Sequence, residues 1–183
     1  GDGLLGFLAG AEFHFGREAR AEYGEPWAPQ QADASTLGDS MYFYSKRHPH
    51  PVAFVRPSFA IDIARAGIPQ VRIDRLARTA EPYGCELWWL EYGGLLDAIH
   101  DAEKIKHHLT CLVYGVWDYI KNSGRIADTA NLTLEWVGSL PGKREGRRFI
   151  GDHVLTQQDV IGQRDFADGV GAAGWSIDLH PPG

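Results

Sequence analysis

The sequence predicts an α+β fold in which one long amphipathic helix is set among short strands. Three observations carry this. Apolar residues recur at helical steps between about residues 95 and 122. Several short stretches alternate apolar with polar side chains, as strands do. Glycine supplies 22 of the 183 residues, well above its usual share of roughly 7 %, which implies many turns and close backbone approaches.

In chain order, residues 2–11 read as a short helix with Asp2 at its N-cap, and Ala11–Phe15 as an alternating strand ending at Gly16. Residues 17–23 suit one or two helical turns, and residues 24–36, with Pro26 and Pro29, a loop. Ser40–Ser45 reads as a strand with Tyr42 and Tyr44 on one face and Met41 and Phe43 on the other. His48-Pro49-His50-Pro51 is a turn, and Val52–Val55 a short strand. Cys85–Tyr92 is an aromatic-rich strand broken by Gly93-Gly94. The long helix follows near 95–122, its apolar stripe running through Leu95, Ile99, Ala102, Ile105, Leu109, Leu112, Val113, Val116, Trp117 and Ile120. Asn122-Ser123-Gly124 stops it. Leu132–Val137 and Arg147–Ile150 read as strands, Gln157–Gly162 as a helical turn, and Gly169–Trp175 as a Gly-rich strand or loop.

Apolar residues at 44 % and charged residues at 23 % describe a globular chain rather than a disordered one, and six Trp, seven Tyr and eight Phe provide bulk for its core. A net charge of −6 argues against nucleic acid or an anionic membrane surface as partner. No apolar run approaches the ~20 residues of a membrane span. Cys85 and Cys111 form neither a disulfide framework nor an iron–sulfur ligand set, which favours a reducing, cytoplasmic setting. Both ends, Gly-Asp-Gly at the start and His180-Pro181-Pro182-Gly183 at the finish, read as interior punctuation. The expectation is a piece of a longer chain, with its own flanking segments as partners.

The densest unusual segment is Pro141–Gly151, where Lys143, Arg144, Arg147 and Arg148 place four of 18 basic residues within six positions. Fixed guanidinium groups suit a pyrophosphate or an electron-rich ring; a solvated basic turn paired with carboxylates is the plainer alternative. Asp178 and His180 share one face of an extended segment, where an imidazole oriented by a carboxylate can relay a proton. Asp152-His153 is a weaker version of that pair. His48, His50, His100, His107 and His108 lack the spacing of a metal motif, so no metal is expected. Trp88, Trp89 and Tyr92 suit a buried strand better than a stacking platform.

Gly1-Asp2-Gly3, Ala9-Gly10-Ala11-Glu12 and Gly16-Arg17-Glu18 resemble the stretch after a Thr-Gly-Asp-Gly motif in a family of FAD-dependent oxidoreductases. These are two-dinucleotide-binding flavoproteins, often grouped with heterodisulfide-reductase-like FAD proteins. The resemblance continues, in order, through Trp88–Gly94, Tyr114–Asn122, Glu135–Gly138, the basic segment, Gly151–Thr156 and Gly174–His180. The family pattern reads Arg-Glu-Ser-Arg where this chain has Arg144-Glu145-Gly146-Arg147.

The resemblance implies FAD as cofactor, a small-molecule substrate and a partial glutathione-reductase-like FAD/NAD(P)-binding fold. A substrate-side insert would hold a mixed sheet and the long helix. On that reading residues 1–16 are the edge of the FAD-binding domain, 17–142 the substrate-side cap and 143–183 the return. Gly1, Asp2, Gly3, Arg144, Glu145 and Arg147 would contact the cofactor, and Arg144, Arg147, Asp178 and His180 would act in catalysis. Some relatives carry iron–sulfur clusters. The rival readings are a polysaccharide lyase-like, carbohydrate-active protein using Tyr92, Arg144 and His180, and a non-catalytic interaction module.

Overall fold

The computed structural model describes residues 2–68 and 90–180. In order the elements are α1 (Leu4–Leu8), β1 (Phe13–His14), α2 (Arg20–Tyr23), β2 (Asp39–Ser40), β3 (Phe43–Arg47), β4 (Glu91–Tyr92), α3 (Ala102–Asn122), β5 (Leu132–Val137), β6 (Arg148–Phe149) and α4 (Gln157–Ile161). Gly1, Cys85, Trp88, Trp89 and most of the segment expected to form a strand before Gly93 lie outside the described residues.

The mixture of helix and strand is as expected, but no mixed sheet forms among the described residues. Among the described residues the strands form three separate two-stranded antiparallel pairs, β1–β6, β2–β4 and β3–β5. The single strand expected over Ser40–Ser45 shows why. At Met41 and Tyr42 the chain changes partner, from Tyr92 and Glu91 on β4 to Val137 and Trp136 on β5. Met41 itself is fully buried at the crossing, while Tyr42 and Tyr44 stay exposed and Phe43 is buried, so the alternation of faces holds.

The core is the stripe of α3 against these pairs. Ile105, Leu109, Val113, Val116, Trp117 and Ile120 pack with Met41, Phe43, Ile63, Leu90 and Leu132. Burying side chains of this size stabilises by about 1.5–3 kcal/mol each before conformational entropy is subtracted. Gly115 sits on the same helix where the loop backbone crosses: a Cβ there would lie 2.1 Å from the Ile61 carbonyl oxygen. That loop is held by Ile61 N–H donating to the Cys111 carbonyl at 3.1 Å.

The helix starts at Ala102 rather than near residue 95. The Asp97 carboxylate accepts the backbone N–H groups of Ile99 and His100, both at 2.9 Å, and a side chain bonded to its own following backbone competes with helix. The His100 ring also lies 2.8 Å from Asp97 Oδ2. This contact first, and the two backbone donors with it, pull the Asp97 carboxyl down to about 2. A carboxylate depressed in the folded state stabilises above its ordinary range and loses that contribution as pH falls through its folded value. The Ile99 and His100 amide proton signals should therefore titrate as the pH drops from about 4 towards 2, in the window between the ordinary and the folded carboxyl values. In Asp97→Asn that titration should disappear.

The remaining differences are shorter elements. Residues 2–11 yield only α1, whose N-cap is Gly3 (φ 72°) rather than Asp2; the Asp2 carboxylate instead accepts Leu4 N–H at 3.1 Å. Arg147–Ile150 yields only β6, Val52–Val55 is irregular, and residues 169–175 form no regular element. At α4, Thr156 and Asp159 make a reciprocal capping box. No helix among the described residues is long and apolar enough to cross a membrane.

Candidate functional site

The four cations of the basic segment go to four different places. Lys143 Nζ donates to Asp39 Oδ2 at 2.7 Å and to the Ala98 carbonyl at 2.6 Å. Arg144 Nη1 donates to Glu91 Oε1 at 2.5 Å, with Ser40 Oγ at 3.4 Å. Arg147 Nη1 donates to the Asp2 carbonyl at 2.9 Å. Arg148 Nη2 donates to Glu18 Oε1 at 2.7 Å and to the Gly16 carbonyl. Three of the four pair with carboxylates, as the plainer alternative has it, but they are part-buried rather than solvated and do not form one cluster. The segment ties the N-terminal stretch, β2, β4 and the loop before α3 together, and a Gly142–Ser40 bridge sets its register.

Two groupings result. In the first, Arg147 meets the N-terminal edge. Gly3 is left-handed, and a Cβ on it would come 2.9 Å from Arg147 Cβ. Gly146 is buried, with a Cβ position 3.3 Å from Asp2 Cα, so the departure from the family's serine lets the two backbones approach. The guanidinium carbon lies 4.6 Å from the Phe7 ring centre and 5.4 Å from that of Phe13. Among the described residues no carboxylate stands within ion-pair distance of Arg147, so its charge is uncompensated there.

In the second grouping, Arg144 reaches across 36 residues to the pair expected to relay a proton. His180 Nε2 lies 3.0 Å from Asp178 Oδ2 and 3.5 Å from Arg144 Nη2. Glu91, from β4, adds a second carboxylate 3.0 Å from His180 Nδ1. The side chains of Glu91 and His180 are 17 % and 19 % exposed, whereas Asp178 is 61 % exposed. Pairing with Glu91 offsets the charge of Arg144, unlike that of Arg147.

Glu145 lies 3.3 Å from Arg148 Nε. Burial pushes its carboxyl upward, and Arg148 opposes that shift. His153 bonds Asp159 of the α4 cap at 2.9 Å rather than Asp152. His108 stacks on Tyr92 with ring centres 3.8 Å apart, and burial favours its neutral form. Cys111 is a buried free thiol 3.6 Å from His107 Nε2. The described residues contain no grouping of His, Cys, Asp and Glu able to hold a metal ion. Two shallow clefts of about 310 and 230 Å³ lie beside Asp62 and Asp118, and beside Val52 and Tyr114; neither borders Arg144, Arg147 or His180.

As to the cofactor the resemblance implies, the cradle a Cβ would fill at Gly3 is taken by Arg147, not by open space. What fits an anionic dinucleotide is Arg147 itself: a planar donor bonded to the Asp2 carbonyl, without a carboxylate partner among the described residues, and seated on the Asp2–Gly3 backbone. Glu91 escapes a reading of the sequence because nothing in its spacing marks it; the only signal is its place in the Trp88–Gly94 block.

The family model described as FAD dependent oxidoreductase matches residues 1–183. No curated protein and no solved structure matches the chain.

Proposed function

The chain belongs to the FAD dependent oxidoreductase family, and from that premise we propose that it forms the substrate-side wall of a flavin site of glutathione-reductase-like, heterodisulfide-reductase-like type. Residues 1–16 and 143–183 would border the FAD-binding domain, and 17–142 would cap the substrate. FAD, when bound, supplies the acceptor or donor of a hydride or electrons for a small molecule. Arg147, on the Asp2–Gly3 backbone, would stand beside the flavin ring, with Gly1 and Glu145 as neighbouring contacts. Arg144, Asp178 and His180 would face the substrate, His180 handling its proton. A lyase reading has no support in the family match.

The observation that supports this best is the guanidinium of Arg147 on the N-terminal edge, which has no carboxylate partner among the described residues. A cation there favours the anionic reduced flavin over the neutral oxidised one. Arg147→Met keeps an apolar stem against Phe7 and Phe13 and removes the charge together with the bond to the Asp2 carbonyl. It should lower the two-electron reduction potential by about 30 mV or more, the equivalent of a tenfold loss of preference for the reduced form. Unchanged flavin content together with an unchanged potential would overturn the assignment.

A further inference from the structure

One proton is too few for the surroundings of His180. A neutral imidazole carries a single N–H and one lone pair, yet a carboxylate oxygen stands 3.0 Å from each ring nitrogen. With both carboxylates ionised, only a doubly protonated ring satisfies the two of them. A ring that has lost one proton must turn away from one of them, and the structure decides which. Glu91 is fixed: it sits on β4, where it pairs with Ser40, and its other oxygen accepts from Arg144 Nη1 at 2.5 Å. Asp178 stands on an irregular and largely exposed segment. The side free to open is Nε2, where Arg144 Nη2 remains alongside at 3.5 Å.

We infer that Glu91 is a positioning residue that holds the Nδ1–H of His180, so that Nε2, once released by Asp178, exchanges a proton with a substrate bearing an oxidisable O–H or N–H group, an alcohol or an amine. This rests on the flavin reading above. In the oxidative direction the substrate O–H or N–H bond breaks and its proton forms a new bond with the Nε2 lone pair. The electron pair of the adjacent C–H bond would leave as hydride, for which the family's oxidised FAD, when bound, would supply the acceptor, and the substrate would become a carbonyl or imine. The imidazolium so formed is the state that both carboxylates accommodate, with Arg144, Glu91 and Asp178 the charged groups around it. Glu91 touches neither substrate nor cofactor and acts through the ring.

The test uses the division of labour between the two Glu91 oxygens. In Glu91→Gln only one carbonyl oxygen is left, and Arg144, a donor without acceptor capacity, claims it. The amide NH₂ then faces Nδ1, which must become an acceptor. The ¹⁵N shifts of the His180 ring in the purified protein should accordingly report Nδ1–H in the neutral ring of the wild type. In Glu91→Gln they should report Nε2–H, and in Asp178→Asn Nδ1–H again. A purely structural Glu91 would leave the tautomer unmoved, and Nδ1–H retained in Glu91→Gln overturns the inference. A protein whose tautomer switches but which binds no flavin overturns the flavin reading alone. One that binds flavin without the switch overturns only the role of Glu91.

Discussion

Lys143→Met is expected to destabilise the fold by about 3 kcal/mol or more, the cost of leaving a buried charge without its partner. Asp39 is 1 % exposed and its Oδ1 has no hydrogen-bond partner, so among the described residues Lys143 at Oδ2 is the group that compensates the carboxylate. Methionine preserves the stem of the side chain but strands that charge. Because the penalty comes from the orphan and not from the loss of an attractive pair, Lys143→Met/Asp39→Leu should recover most of it. Urea unfolding midpoints at fixed slope read the difference. A single variant within about 0.5 kcal/mol of wild type, the range of an ordinary surface change, would show that Lys143 is ornamental.

His180→Gln is expected to slow flavin bleaching by an alcohol or amine by about 10²–10⁴-fold, the range for a positioned general acid–base group. Glutamine approximates the imidazole in size and can still bond Glu91 and Asp178, but it cannot carry the proton. Flavin content should stay the same, because the proposed cofactor contact is Arg147 in the other grouping. Stopped-flow bleaching under anaerobic conditions measures the rate. A wild-type rate in the variant would remove His180 from the chemistry while leaving Arg147 untouched.

These two expectations separate residues that look alike in the sequence. Lys143, Arg144, Arg147 and Arg148 form one cationic run, yet each takes a different partner, because each partner lies on a different element brought in by the fold. Such long-range pairings leave no local spacing to read. The helix is legible because a 3.6-residue period depends on adjacent turns alone, and the buried stripe from Ile105 to Ile120 follows that period. Its start is not legible: Leu95 and Ile99 continue the period, but the Asp97 side chain captures the backbone first. Ser40–Ser45 alternates as a strand should, and nothing local says that it changes partner midway. Asp178 and His180 are legible as a pair at a separation of two residues. Glu91 is not, since its link to them is made only in three dimensions.

The visible absorption spectrum of the purified protein tests the flavin-facing assignment of Arg147 most directly. A yellow protein whose flavin bands bleach on reduction, and whose Arg147→Met variant holds the reduced flavin less well, is the expected result. A colourless full-length protein that, with its FAD-binding domain present, leaves added FAD free in solution would contradict it.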